Sequence, residues 1–133
     1  MDMIKGLAHV CVVTKDISKS KQFYTEVLGF EVVHENNLYA DSGATALCFV
    51  KKGDISLELA QFMFEVPERS TGYHDHISFL VDDIDDKVES LKLKGVVFET
   101  EKPLDMDNLF EHGCRGIAFS GPDGERLELT EIL

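Results

Sequence analysis

One pattern occurs twice in this sequence, and it constrains the fold more than any other feature. Residues 9–17 read HVCVVTKDI and residues 76–84 read HISFLVDDI, so in each case a histidine opens an apolar run and an Asp-Ile pair follows. Each half later carries one glutamate between leucines, first Glu58 and then Glu128. A repeated module that places one histidine and one glutamate among apolar residues predicts two like halves and a metal site with four ligands.

Length and charge limit what the protein can be. The 133 residues predict one domain, 1–133, made of a first module at 1–65 and a second at 74–133. The net charge of −12 excludes partners that need a basic surface, such as nucleic acids and anionic membranes. No apolar run is long enough to cross a bilayer, and the N-terminus does not resemble a signal peptide. We therefore expect a cytoplasmic protein, and the charge by itself does not reveal its partner.

Hydrophobic periodicity predicts the order β-α-β-β-β in each half. Asp16 and Gly29 bracket the first predicted helix as its N-cap and its C-terminal glycine. Lys51–Asp54 and Gly121–Gly124 predict turns. The predicted helices are 17–28 and 84–94, and the predicted strands are 7–13, 30–34, 46–50, 55–62, 76–81, 96–100, 115–120 and 126–132. The predicted class is α+β: a cup-shaped, mainly antiparallel sheet with the helices on its outer face.

Strand alternation predicts that the candidate ligands point away from the helix-packed side. Glu58 and Glu128 lie on the faces opposite their neighbouring leucines, and His76 shares its face with Ser78. Two imidazoles and two carboxylates suit Zn²⁺, Ni²⁺, Co²⁺, Mn²⁺ or Fe²⁺. Taken singly, each residue is more often a core histidine or a solvent-facing glutamate, but matched positions in two repeats favour a metal site. Cys11 is predicted to be a core residue.

The doubled module resembles the vicinal oxygen chelate superfamily, and within it enzymes of the glyoxalase I (lactoylglutathione lyase) type. The resemblance extends over nearly the whole chain. Three sequence segments support it most directly: residues 23–30 (FYTEVLGF), 76–84 and 121–129 (GPDGERLEL). The resemblance implies that His9, Glu58, His76 and Glu128 are the metal ligands. It also implies metal-assisted proton transfer next to vicinal oxygens. In that reaction Glu128 is the better candidate for the base and Glu58 is the steadier ligand.

Two positions depart from glyoxalase I, and they affect the choice of substrate. Val13 and Phe62 stand where the well-studied enzymes have an arginine and an asparagine that contact glutathione. We therefore expect a small α-oxo or α-hydroxy carbonyl compound, or an adduct of one with a thiol. The alternatives are a sequestering protein of the bleomycin-resistance kind and a thioester epimerase. Extradiol dioxygenases and fosfomycin-resistance enzymes fit less well, because they have histidine at the position of Glu58.

Three further features carry weaker signals. His74 shares a strand face with His76, and it either lines the rim of the predicted metal site or substitutes as a metal ligand. Residues 108–113 could form a loop over the cavity. Arg126 either meets an anionic group or forms a salt bridge, and the acidic composition favours the salt bridge. The superfamily pairs its modules within a chain or across a dimer, so a homodimer is expected.

Overall fold

The computed structural model describes residues 6–68 and 70–133. They divide into two compact units, residues 6–68 and residues 70–133. Each unit has one helix and one four-stranded mixed sheet, as the β-α-β-β-β prediction requires. The predicted module bounds, 1–65 and 74–133, stay a prediction. Over the described residues no helix is long and apolar enough to cross a membrane.

The first unit contains strand β1 (Val10–Val13), helix α1 (Ile17–Gln22) continuing into a π-helical turn (Phe23–Val27), and strands β2 (Glu31–Ala40), β3 (Gly43–Lys52) and β4 (Ile55–Phe62). The sheet order is β1-β4-β3-β2, in which β1 runs parallel to β4 and the other pairs are antiparallel. The helix packs against β3 and β4. The core of this unit includes Tyr24, Val50, Leu57 and Leu59, which are at most 1% exposed.

The second unit repeats this plan with strand β5 (Ile77–Leu80), helix α2 (Ile84–Leu93), and strands β6 (Leu104–Met106), β7 (Cys114–Ser120) and β8 (Arg126–Ile132). Its sheet order is β5-β8-β7-β6, again with the first pair parallel and the others antiparallel. Helix α2 packs against β8. Ile84, Phe119 and Leu127 are fully buried in its core.

Each helix is anchored to the last strand of its own unit in the same way. The backbone N–H of Ile17 donates to Gln61 Oε1 at 3.0 Å, and that of Ile84 donates to Glu131 Oε1 at 2.9 Å. The first N–H groups of a helix have no intrahelical acceptor, so a side chain from a neighbouring strand can satisfy them. Asp16 also caps α1 as predicted, accepting from the N–H groups of Ser18 and Lys19.

The strands predicted over 7–13, 30–34 and 46–50 have other bounds in the structure, Val10–Val13, Glu31–Ala40 and Gly43–Lys52, and two further predicted elements differ in kind. The helix predicted over 17–28 is α-helical only as far as Gln22 and then widens into the π turn. The strand predicted over 96–100 is wrong, because only Phe98 makes an isolated bridge, to Phe119, and the second strand of this unit is Leu104–Met106. The ring of Phe98 lies 5.4 Å from that of Phe119. The apolar character of this segment therefore serves a core contact rather than a strand ladder.

The predicted turns are present. Gly53 and Asp54 join the paired residues Lys52 and Ile55 in a two-residue hairpin loop, and Gly53 has a φ of 57°. A left-handed residue at this position matches the twist of the two strands. The Gly121–Gly124 turn closes with a 3.0 Å hydrogen bond from Gly124 N–H to the Gly121 carbonyl.

Candidate metal and substrate site

The first unit brings His9 and Glu58 together. Glu58 lies in the middle of β4, between Cys11 on β1 and Phe49 on β3. His9 immediately precedes β1, and the edge of its ring packs on Phe49 with ring centroids 5.6 Å apart. The Nε2 atom of His9 is 3.7 Å from Oε2 of Glu58. Both predicted ligands of this module therefore lie on one patch of the sheet.

The second unit repeats this pairing. His76 immediately precedes β5, and Glu128 lies in the middle of β8 opposite Ser78. The Nε2 atom of His76 is 3.8 Å from Oε1 of Glu128. Both glutamates are partly buried, with 19% of the Glu58 side chain and 21% of the Glu128 side chain exposed, whereas both histidines are more open. The two predicted pairs thus have closely matched geometry in their own units.

The hydrogen bonding of His76 suits a metal ligand. Its Nδ1 atom is 2.9 Å from Asp75 Oδ2, and this hydrogen bond holds the pKa of Asp75 below its usual value. Asp75 is therefore an anion at neutral pH and accepts a hydrogen bond from Nδ1–H. In a neutral imidazole Nε2 then carries the lone pair, and it lies 3.8 Å from Glu128 Oε1, so a cation between the two atoms would stabilise the pair. Carboxylates commonly orient metal-binding histidines in this way.

The distances within each pair also fit shared coordination. A nitrogen or oxygen ligand lies about 2.0–2.2 Å from Zn²⁺, so two ligands of one ion cannot be more than about 4.4 Å apart. The separations of 3.7 and 3.8 Å fall inside that limit and are too long for hydrogen bonds. Neither unit, over its described residues, gathers three or more His, Cys, Asp or Glu side chains as a metal site. Convergence of all four ligands on one ion stays a prediction.

Cys11 was predicted to be a core residue, and that prediction is wrong. Cys11 is exposed and lies directly beside Glu58 on the face that carries His9. Partial desolvation of the sulfur, together with its hydrogen bond to Glu58, raises the pKa of the Cys11 thiol to about 12. At neutral pH it is therefore a thiol that donates to Glu58. The alternation of β1 already placed it with His9, but its apolar neighbours suggested burial.

Glu128 has a different set of partners. The hydroxyl of Thr130 donates to Glu128 Oε1 at 3.0 Å, and the hydroxyl of Ser78 lies 2.6 Å from that of Thr130. Because the Thr130 hydroxyl donates its hydrogen bond to the carboxylate, the Ser78 hydroxyl must donate to Thr130 Oγ1. The first unit has Cys11 in place of Ser78 and Ala60 in place of Thr130. The two glutamates therefore occupy matched positions in different hydrogen-bonding environments.

A cavity of about 570 Å³ opens on this patch of the second unit. Its polar side is formed by His76, Glu128, Ser78 and Thr130, which are the groups just described. The remainder is lined by Leu80, Met106, Leu109, Phe110, Cys114 and Ile132. None of the described lining residues is a lysine or an arginine. The predicted cavity loop, 108–113, thus contributes Leu109 and Phe110 to the wall.

Two small residues on β7 form the sheet surface around Glu128. Ala118 pairs with Glu128 and Gly116 pairs with Thr130, whereas the matching positions in the first unit are Phe49 and Leu47. A Cβ on Gly116 would lie 2.9 Å from Met106 Cε and 3.8 Å from Glu128 Oε2. The second unit therefore has small β7 residues beside its glutamate where the first unit has large ones, and the side chain of Met106 lies next to Gly116. Our sequence reasoning missed this difference, although alignment of the two repeats shows it.

The remaining candidates have smaller roles. His74 is exposed and is not among the residues lining this cavity. Arg126 forms salt bridges with Glu99 at 3.1 Å and with Asp75 at 3.7 Å, as the acidic composition favoured. Its charge is thus already matched by two carboxylates. Phe119 is fully buried in the core.

Comparison with known proteins agrees with this architecture. The family model described as the Glyoxalase/Bleomycin resistance protein/Dioxygenase superfamily matches residues 6–129. The uncharacterized protein YwkD of Bacillus subtilis is 35% identical, with 97% of this chain and 98% of that protein covered. The crystal structure of a glyoxalase family protein from Enterococcus faecalis is 28% identical with a TM-score of 0.78, covering 96% of this chain and 98% of the other.

Relatives with named activities differ in their reactions. A probable lactoylglutathione lyase of Synechocystis is 30% identical, with 94% of both chains covered. The fosfomycin resistance protein FosX of Listeria monocytogenes is 26% identical, with 96% of this chain and 90% of that protein covered. Sequence similarity therefore does not identify the reaction, and the choice between reactions has to rest on the residues of the site.

Proposed function

We propose that this chain, which belongs to the glyoxalase/bleomycin resistance/dioxygenase superfamily, is a metal-dependent lyase or isomerase of glyoxalase I type. Many members of the superfamily are metalloenzymes that act on small molecules. The observation that carries the proposal is the repeated pairing of His9 with Glu58 and of His76 with Glu128. In the proposed protein all four side chains hold one divalent ion: Zn²⁺, Ni²⁺, Co²⁺, Mn²⁺ or Fe²⁺.

The proposed reaction moves a proton between adjacent oxygenated carbons. The bound metal would polarise the two vicinal oxygens of the substrate and make the C–H bond between them more acidic. Glu128 takes the proton from that carbon and returns it to the neighbouring one. Thr130 orients Glu128 by its hydrogen bond to Oε1. Glu58 lacks a hydroxyl at the matching position and is proposed as the steadier ligand.

Two measurements test the proposal. Elemental analysis of protein purified without chelator should find about one divalent metal per site, and His9→Ala or His76→Ala should lower that content. Metal-loaded protein should then exchange the CH₂ protons of 2-hydroxyacetophenone, a neutral hydroxyketone, for deuterium in D₂O. Proton NMR follows the exchange directly. Metal binding without exchange of this or of smaller hydroxyketones would contradict the enzymatic part of the proposal.

The cavity supports a second candidate, a protein that sequesters a small molecule as bleomycin-resistance proteins do. Its wall of apolar side chains can bind a small molecule without catalysing a reaction. This candidate predicts ligand binding that does not depend on metal.

A thioester epimerase, like the proposed lyase or isomerase, would depend on a metal. Proton exchange at the carbon next to a thioester carbonyl would identify it.

We further propose that the protein is a cytoplasmic homodimer.

A further inference from the structure

We infer that a cavity on the second unit takes the apolar part of the substrate, and that it selects a neutral molecule that carries two vicinal oxygens and an apolar substituent about as large as a phenyl ring. The inference rests on the proposed metal function, since the vicinal oxygens are assigned to the metal. Within the unit, the His76–Glu128 pair forms the polar end of the cavity. Leu109 and Phe110 are the residues that we assign to contact the apolar substituent.

The two repeats differ where the cavity lies. The large Phe49 and Leu47 of the first unit correspond to Ala118 and Gly116 in the second. Phe49 fills the space beside His9, with which it makes an edge-to-face contact. In the second unit β7 carries no large side chain at these positions, and Met106, which lines the cavity, lies beside Gly116 instead. The two repeats therefore supply similar ligand pairs with different side chains beside their glutamates.

The cavity wall exposes apolar surface that a ligand would cover. Leu80 is 72% exposed, Phe110 is 63% exposed, and Leu109 and Ile132 are each close to half exposed. Large apolar side chains that converge on one concavity beside polar groups are typical of ligand pockets. Phe110 also has a φ of 59°, which is rare for a bulky residue and is found most often where a local conformation serves a ligand site.

Charge excludes an anionic substituent from this part of the pocket. The described lining residues include Glu128 and no lysine or arginine. Arg126 is occupied by Glu99 and Asp75. A carboxylate placed among Leu109 and Phe110 would lose its hydration without gaining a partner.

Hydroxamates test this inference, because they present two vicinal oxygens to a metal and can carry different substituents. Metal content is measured first, and binding of acetohydroxamate, benzohydroxamate and 4-carboxybenzohydroxamate is then measured by calorimetry on the metal-loaded protein. We expect benzohydroxamate to bind at least about tenfold more tightly than acetohydroxamate, because its ring buries apolar surface. The added carboxylate should abolish that gain.

Variants show which residues contact the phenyl ring of benzohydroxamate. Phe110→Ala should remove most of the preference for benzohydroxamate, and Ala118→Phe, which copies the first unit, should block the ring. Tyr73→Ala removes another exposed aromatic residue of the same unit that does not line the cavity, and it should change nothing. Thermal unfolding checks that each variant is folded.

The outcomes separate this inference from the proposed function. Protein that binds no metal overturns the proposed function and the vicinal-oxygen assignment together. Metal-loaded protein that binds all three hydroxamates equally, or that keeps its preference in Phe110→Ala, overturns the inference and leaves the metal function standing.

Discussion

Thr130 donates a 3.0 Å hydrogen bond from Oγ1 to Oε1 of Glu128, and the residue that matches Thr130 beside Glu58 is Ala60. The two glutamates hold matched positions, since each lies in the last strand of its unit next to a histidine that precedes the first strand. The two units thus have similar ligand pairs, and the Thr130 hydroxyl is one of the differences between their environments. Ser78 extends the difference by donating to Thr130.

Replacement of Thr130 should therefore weaken metal binding. Thr130→Val keeps the shape of the side chain and removes the donor to Glu128, and loss of such an outer hydrogen bond typically costs about 10- to 100-fold in affinity. Competition with a coloured chelator measures the change. Thr130→Ser keeps the hydroxyl and should bind metal nearly as well as the native protein. Native affinity in Thr130→Val would show that the hydrogen bond does not orient the ligand.

The glutamates should also differ in catalysis. Glu128→Gln removes the proposed base, so deuterium exchange into 2-hydroxyacetophenone should slow by more than about 10²-fold. The matched variant Glu58→Gln should lower metal affinity, and its exchange rate per bound metal should fall much less. Both rates are measured at equal metal occupancy by NMR. Equal losses in the two variants would contradict the assignment of the base to Glu128.

Much of this arrangement was predictable, because strand alternation and repetition are local properties. Residues 55–62 and 126–132 alternate between apolar and polar side chains, and the structure has strands at just those residues. Alternation also placed Cys11 on the face of His9. It did not show that this face is open, because exposure depends on what the rest of the protein packs against it.

The cavity was harder to predict because it depends on pairing between strands distant in sequence. Gly116 and Ala118 matter only because β7 pairs with β8 and brings them beside Thr130 and Glu128. Residues 96–100 show the same limit. Their apolar pattern indicated a strand, but Phe98 packs into the core against Phe119 instead.

The core of the second unit should be sensitive to truncation. Leu127 is fully buried on β8, directly before Glu128. Leu127→Ala should lower the free energy of unfolding by about 2–5 kcal/mol, through lost burial and the cavity left behind. Urea denaturation measures this. Leu93→Ala, at a site that is 90% exposed, should change stability little, and an equal effect of the two changes would contradict the buried position.

The Asp85–Arg115 salt bridge should make stability depend on pH. Both oxygens of Asp85 accept from the guanidinium of Arg115, at 2.8 and 3.1 Å, and this holds the pKa of Asp85 below its ordinary value of 3.8. A lowered pKa stabilises the folded state above pH 3.8, and this contribution is lost as the pH falls through the folded-state value. Asp85→Asn should therefore be less stable than the native protein at pH 7.

That difference in stability should narrow below pH 3.8, where the native carboxyl also becomes neutral. Denaturant titrations between pH 7 and pH 3 measure it. The control is Asp86→Asn, because Asp86 is more exposed and its ion pair with Lys87 is longer, at 3.8 Å. A difference between Asp85→Asn and the native protein that grows as the pH falls would contradict the assigned direction.

Glutathione provides the last prediction. Val13 is 52% exposed at the end of β1, and Phe62 packs near Phe64 with ring centroids 5.6 Å apart, so neither position offers a polar partner to glutathione. An unpaired glutathione carboxylate weakens binding. We expect weak or no conversion of the methylglyoxal–glutathione hemithioacetal by protein loaded with Ni²⁺, Co²⁺ or Zn²⁺. Formation of the lactoyl thioester is followed by absorbance.

The matched variant restores the residues of glyoxalase I. Val13→Arg combined with Phe62→Asn supplies a cation and an amide at the two positions, and it should raise activity on the glutathione adduct if those positions contact glutathione. Its exchange activity on 2-hydroxyacetophenone serves as the control for an intact metal site. Native protein with kcat/KM above about 10⁵ M⁻¹s⁻¹ on the glutathione adduct, which is within the ordinary range for enzymes, would show that Val13 and Phe62 do not exclude glutathione.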